Sequence, residues 1–108
     1  MSRTTQLLGT SVIAGTDTAG ASAGNPIPAA AHTMLGIQTP IETTGNCYLE
    51  ASFDAVEWRR AQCYGLDVAL PANRFVIVDA VAAPFLRAAS DVPEFDNRSF
   101  VFWSILDI

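Results

Sequence analysis

The side chains that most often carry out chemistry are scarce in this chain and badly spaced for it. His32 is its single histidine, so any serine–histidine or cysteine–histidine pair would have to use it. A general base must be held within hydrogen-bond reach of its target. His32 sits in a run of small residues that cannot hold it, and it reads as an exposed or interface histidine. Cys47, Cys63 and His32 do not complete a four-ligand zinc site without carboxylates or a second subunit. Two cysteines are also too few for a disulfide framework, and they read as buried thiols, with a bridge open only to an oxidising compartment. Gly15 and Gly20 have the outer spacing of a phosphate-binding loop but lack the lysine and hydroxyl that must follow. Asp91, Glu94, Asp96 and Asn97 bring oxygen ligands close together, though not in the order of a helix–loop–helix calcium site. They read as a solvated acidic loop. The expectation is a protein with no catalytic residues, no cofactor and no metal.

Binding chemistry is the remaining possibility. Arg59-Arg60 is the one basic doublet and suits a salt bridge to a carboxylate. Tyr48, Trp58 and Tyr64 lie in one region, where they either form an aromatic platform for a sugar or pack in a core or interface. The net charge is −5, which excludes the basic footprint of a nucleic-acid binder. It equally disfavours an anionic lipid surface. No run of about 18 apolar residues exists to span a membrane as a helix. Gly9, Thr10 and Ser11 break the apolar stretch behind Arg3, so no secretion signal is expected, and synthesis is expected in the cytoplasm. Asn97-Arg98-Ser99 then matches a glycosylation sequon by chance.

Two regions of different character must position these groups. Residues 1–33 read as an extended N-terminal arm, and 34–108 as a compact β-rich domain. In 14–33, fourteen of twenty residues are Ala, Gly, Ser or Thr, too little apolar surface to offset the entropy of ordering. The fold class expected is mainly β: a small β-barrel or β-sandwich-like domain with that arm and at most one or two short helices. Met34–Ile37 reads as a short strand. Asn46–Phe53 alternates, with Cys47, Leu49, Ala51 and Phe53 inward. Residues 54–64 fit a capped helix or a strand, the strand being preferred, and a further strand spans 65–70. Residues 74–82, with Phe75-Val76-Ile77-Val78, read as a central strand buried on both faces. Residues 84–90 suit a helical turn or two begun by Pro84. Ser99–Ile108 is a strand with two apolar faces, which must be central or covered by a partner.

This organisation resembles the head decoration (cement) proteins of tailed bacteriophages, of the lambda type. Ala29–Thr44 stands where that family passes from arm to body, Gln62–Ala69 is similar to its apolar strand with a central glycine, and Phe100–Ile108 matches its apolar terminal strand. The resemblance implies a virion structural protein, not an enzyme. It would bind the major capsid protein lattice as a homo-oligomer, a trimer being favoured, and would be located in the virion. Leu7, Leu8, Val12, Ile13 and Ile27 would be the arm's apolar anchors; Trp58, Phe100, Phe102 and Trp103 would build the core or the oligomer contact. Small proteins often gain stability by association, and a protein that binds only the assembled shell stabilises it by linkage. Other readings are another phage structural component (minor capsid, head-fibre or tail protein), or a small β-rich ligand- or sugar-binding module using Trp58 and Tyr64.

Overall fold

The computed structural model describes residues 3–15, 22–29, 34–79 and 83–107. Ten strands follow in chain order: β1 (Arg3–Ile13), β2 (Ile27–Pro28), β3 (Met34–Gln38), β4 (Cys47–Ser52), β5 (Arg59–Arg60), β6 (Gln62–Cys63), β7 (Leu66–Asp67), β8 (Phe75–Asp79), β9 (Phe85–Ser90) and β10 (Arg98–Asp107). They build two four-stranded antiparallel sheets, ordered β1-β10-β3-β8 and β2-β9-β4-β5, with β6 and β7 as a separate hairpin. We call the four-stranded pair sheet A and sheet B. Both contribute to one core: Ile13, Leu35, Ile37, Val78, Phe100 and Phe102 from sheet A, and Ile27, Cys47, Leu49, Leu86 and Ala88 from sheet B. The fold is therefore mainly β, a small sandwich with alternating residues turned inward from each sheet. Among the described residues no helix is long and apolar enough to cross a membrane.

β10 is the central strand of sheet A. It pairs with β1 along one side and β3 along the other. Phe100 and Phe102 are wholly buried on its inner face. The expectation that this strand needs cover on both sides is met in full for the inner face and in part for the outer one, where Ile105 is buried and Val101 and Trp103 are half-buried; Ile108 lies outside the described residues.

The separation at residue 33 is corrected. β1 pairs with β10 from Arg3 to Ile13, making it a full strand of the sandwich. Part of the small-residue stretch is also built in, by backbone bonds more than by side chains. Gly24 N–H donates to Ala88 O at 2.8 Å, Ser90 N–H to Ser22 O at 2.6 Å and Ala29 N–H to Pro84 O at 2.7 Å, lining this segment along β9. Small residues suit it because the chain passes so close: a Cβ on Gly24 would collide with the Ser11 hydroxyl. Composition measures apolar burial and is blind to this kind of ordering.

Other expectations change as well. Residues 85–90 form β9 between β2 and β4, not a helical turn, since Leu86, Ala88 and Ser90 alternate inward. β8 is an edge strand, not a central one, and Phe75 and Ile77 are each about half exposed (56% and 50%). Phe53 turns outward and Ser52 is buried, because the chain leaves β4 there. The Ser52 hydroxyl takes the Asp54 and Ala55 N–H groups, and the Asp54 carboxylate takes those of Val56 and Glu57. That self-capped turn replaces the long strand expected over 54–64, leaving only β5 and β6.

Candidate functional site

Among the described residues the informative surfaces are the two outer sheet faces. The outer face of sheet A is apolar. The register places Leu7, Trp103, Gly36 and Ile77 in one row across its four strands. Thr5, Ile105, Met34 and Asp79 form the next row, and Thr10, Val101, Gln38 and Phe75 the one on the other side. Leu7 joins this face because of a bulge. Leu7 pairs with Trp103 and Gly9 with Phe102, so Leu8 is the extra residue. Strict alternation would put Leu7 on the same side as Ile13; one inserted residue reverses the parity. Gly36 lets Phe75 fold over the sheet. A Cβ there would lie 2.8 Å from the Phe75 ring, so only glycine leaves the ring its place. Thr5, Phe75, Trp103 and Ile105 surround a shallow notch of about 180 Å³.

The outer face of sheet B is polar and internally satisfied. Glu50 stands opposite both Arg87 on β9 and Arg60 on β5. Arg87 Nε donates to Glu50 Oε1 at 2.7 Å, and the guanidinium lies 4.2 Å over the Trp58 ring. Arg60 lies 4.0 Å over the Tyr48 ring and pairs with Asp67 at 3.2 Å. The carboxyl of Asp67 is held below its ordinary value by the bond from Gln62 and then that from Arg60. The aromatic platform is therefore covered: Tyr48 and Trp58 each carry a guanidinium on a ring face. Tyr64 is elsewhere, at the tip of the β6–β7 hairpin, 88% exposed, with its hydroxyl bonded to Asp79 of sheet A at 3.3 Å. The Asp79 charge is the main cause holding the Tyr64 hydroxyl above its ordinary pKa. The salt bridge expected of Arg59-Arg60 is made by Arg60.

Glu94 corrects the reading of 91–97 as a wholly solvated acidic loop. Its side chain is buried completely. It accepts the N–H groups of Thr44 (2.7 Å) and Gly45 (2.9 Å), the Ser90 hydroxyl (2.8 Å) and Arg98 Nε (2.9 Å). Burial alone would push this carboxyl up, but these donors together outweigh it and hold the pKa below the ordinary value. The clamp ties the loop before β10 to the loop before β4. Burial, and then the Glu94 charge, push the nearby Cys47 thiol up, so it is a poor nucleophile. Cys47 and Cys63 are both free thiols. Among the described residues no cluster of three metal-ligating side chains occurs.

Of the arm anchors expected from the sequence, Ile13 and Ile27 lie in the core and Leu8 packs against it. Val12 is half-buried and Leu7 is 52% exposed. Phe100 and Phe102 are core residues, while Trp103 and Trp58 lie half-buried on the outer faces of sheets A and B. His32 and Gly20 lie outside the described residues. Sequence reasoning missed Phe75 and Ile77 as surface groups and Glu94 as an interior one. A cleft of about 440 Å³ opens beside β5, lined by Phe53, Asp54, Glu57, Arg59 and Gln62 among others. No family model, no curated protein and no solved structure matches this chain.

Proposed function

We propose that the protein is a structural component of a larger assembly, a decoration (cement) protein that binds a phage coat lattice. The observation that carries this reading is the apolar outer face of sheet A, with Leu7, Trp103, Ile77 and Phe75 in contiguous rows. Large exposed apolar patches on soluble domains mark surfaces that another protein covers. The resemblance to decoration proteins supplies the class of partner, the major capsid protein in its assembled state. A protein that adds the same contact at every symmetry-equivalent place stabilises the shell by mass action. On this reading the contact is made by a folded sheet face. Ile13 and Ile27 serve the core, and Leu7 is the arm anchor that remains available.

The test is co-sedimentation of the full chain with shells assembled from the large coat protein that this reading expects to be encoded beside it. Wild type is expected to pellet with shells and not with unassembled coat subunits. Leu7→Glu, on the same face and already half-exposed, is expected to stay in the supernatant while melting as wild type does. No pelleting of wild type overturns the reading. A second reading, a small-ligand module, is favoured by the cleft beside β5, where Phe53 is 81% exposed next to the cation of Arg59. It predicts a rise in melting temperature with an anionic sugar, lost in Arg59→Ala.

A further inference from the structure

The two sheets have four outer edges, and three are protected against pairing with another strand. β1 carries the bulge at Leu8, and the Asn25 side chain caps its open edge, accepting Val12 N–H at 2.7 Å and donating to Thr10 O at 3.1 Å. β2 is two residues long and includes Pro28, which has no N–H. β5 is also two residues long, and both are arginines. These are the usual devices that stop edge-to-edge association. β8 has no bulge and no proline, and its one charge, Asp79, stands at its end and accepts the Tyr64 hydroxyl. It runs Phe75-Val76-Ile77-Val78-Asp79 in unbroken register with β3, and among the described residues no strand pairs with its other side.

The phase of the ladder shows which groups are open. Thr39 N–H donates to Arg74 O at 2.9 Å, so residues 74, 76 and 78 turn their backbone groups toward β3. The N–H and C=O groups of Phe75, Ile77 and Asp79 then face outward. We propose that β8 pairs antiparallel with β8 of a second copy of this chain, about a twofold axis through Ile77. In this register Ile77 faces the partner's Ile77, and Phe75 faces the partner's Asp79 in both directions. All three outward-facing residues are engaged, giving about six new backbone hydrogen bonds. Charge favours this orientation and this occupant. Arg74, whose guanidinium donates to Asn73 O, precedes the strand, and Asp79, which accepts the Tyr64 hydroxyl, ends it, so antiparallel copies place opposite charges at each end of the new ladder, on opposite faces of the sheet. Parallel copies would set like charges together. The result is one eight-stranded sheet. Its outer row then runs without a break from Leu7, Trp103, Gly36 and Ile77 into the same four residues of the partner. The inference rests on the strand edge and stands independently of the coat-binding reading. It predicts a twofold, not a threefold, particle.

The test uses light scattering on the full chain at tens of micromolar. Wild type is expected at twice the 11.5 kDa chain mass. Ile77→Lys and Ile77→Glu, each alone, are expected at the single-chain mass, because residue 77 meets itself across the axis. An equimolar mixture of the two is expected to recover the doubled mass, which also shows that both variants are folded. A monomeric or trimeric wild type overturns the proposal. So does a dimer that persists in both variants, or a mixture that fails to reassociate. A dimer that does not pellet with shells would retire the coat reading and leave this one standing.

Discussion

The outer faces of the two sheets are made of the same kind of backbone and finished in opposite ways. On sheet B the five residues Tyr48, Glu50, Trp58, Arg60 and Arg87 partner one another: Glu50 holds Arg87, and the two guanidiniums cover Trp58 and Tyr48. On sheet A the comparable positions hold Leu7, Trp103, Met34, Phe75 and Ile77, with no charge nearer than Asp79 in the adjoining row. An ion pair over an aromatic ring remains satisfied in water, whereas a row of apolar side chains gains only when another surface removes it from water. The difference is one of use: Tyr48 and Trp58 on sheet B are covered by guanidiniums of the same chain, and Phe75 and Trp103 on sheet A are not.

Four substitutions and one change of conditions break or sharpen this contrast. The largest effect lies in the interior that holds both faces in place. Arg98→Met leaves Glu94 buried without its cation and should cost about 3–5 kcal/mol, read as a lower urea midpoint. The same carboxylate makes stability depend on acidity. Its folded pKa lies below its unfolded value of about 4.3, so its contribution is complete above that pH and is lost as pH falls through the folded value. Denaturation midpoints should drop on acidification, and Glu94→Gln, less stable at neutral pH, should flatten that drop. Next comes sheet B. Glu50→Gln weakens a largely buried charge-assisted bond, should cost about 1–3 kcal/mol and should leave shell binding and mass unchanged. The smallest stability effect is expected on sheet A. Ile77→Lys, at a position half open to water, should stay within about 0.5 kcal/mol of wild type while abolishing association. If Glu50→Gln weakened association as much as Ile77→Lys, the contrast between the faces would be wrong.

The β6–β7 hairpin offers a finer probe. Tyr64 holds φ at +54° and Gly65 at +80°, which suits a two-residue turn of the primed type. Glycine is at home there and a tyrosine is not. Tyr64→Asn should raise the melting temperature by a few degrees. The exposed bond to Asp79 that it forfeits is worth less than the relieved backbone.

Much of the strand content was legible. The alternation of Cys47 and Leu49, the short run Met34–Ile37 and the apolar terminal strand all appear as strands near their expected bounds. Local pattern reports those because period-two hydrophobicity is a property of adjacent residues. The dense run Phe75–Val78 was equally visible as a strand but misplaced as central, since β-branched content says nothing about how many neighbours a strand has. Glu94 was legible only as one acid among several. Its burial depends on Thr44 and Gly45, fifty and forty-nine residues earlier in the chain.

By itself, then, the sequence determined the class, a mainly β chain, and its acidic balance of charge. The tertiary structure decided which strands are edges, which face stays apolar and which acid is buried. It joined β1 to β10 from opposite ends of the chain, and it placed Leu7 beside Trp103 through a single bulged residue. Strand formation is settled by near neighbours. Edge, face and burial are settled by which distant strands meet, and that choice belongs to the packed core as a whole.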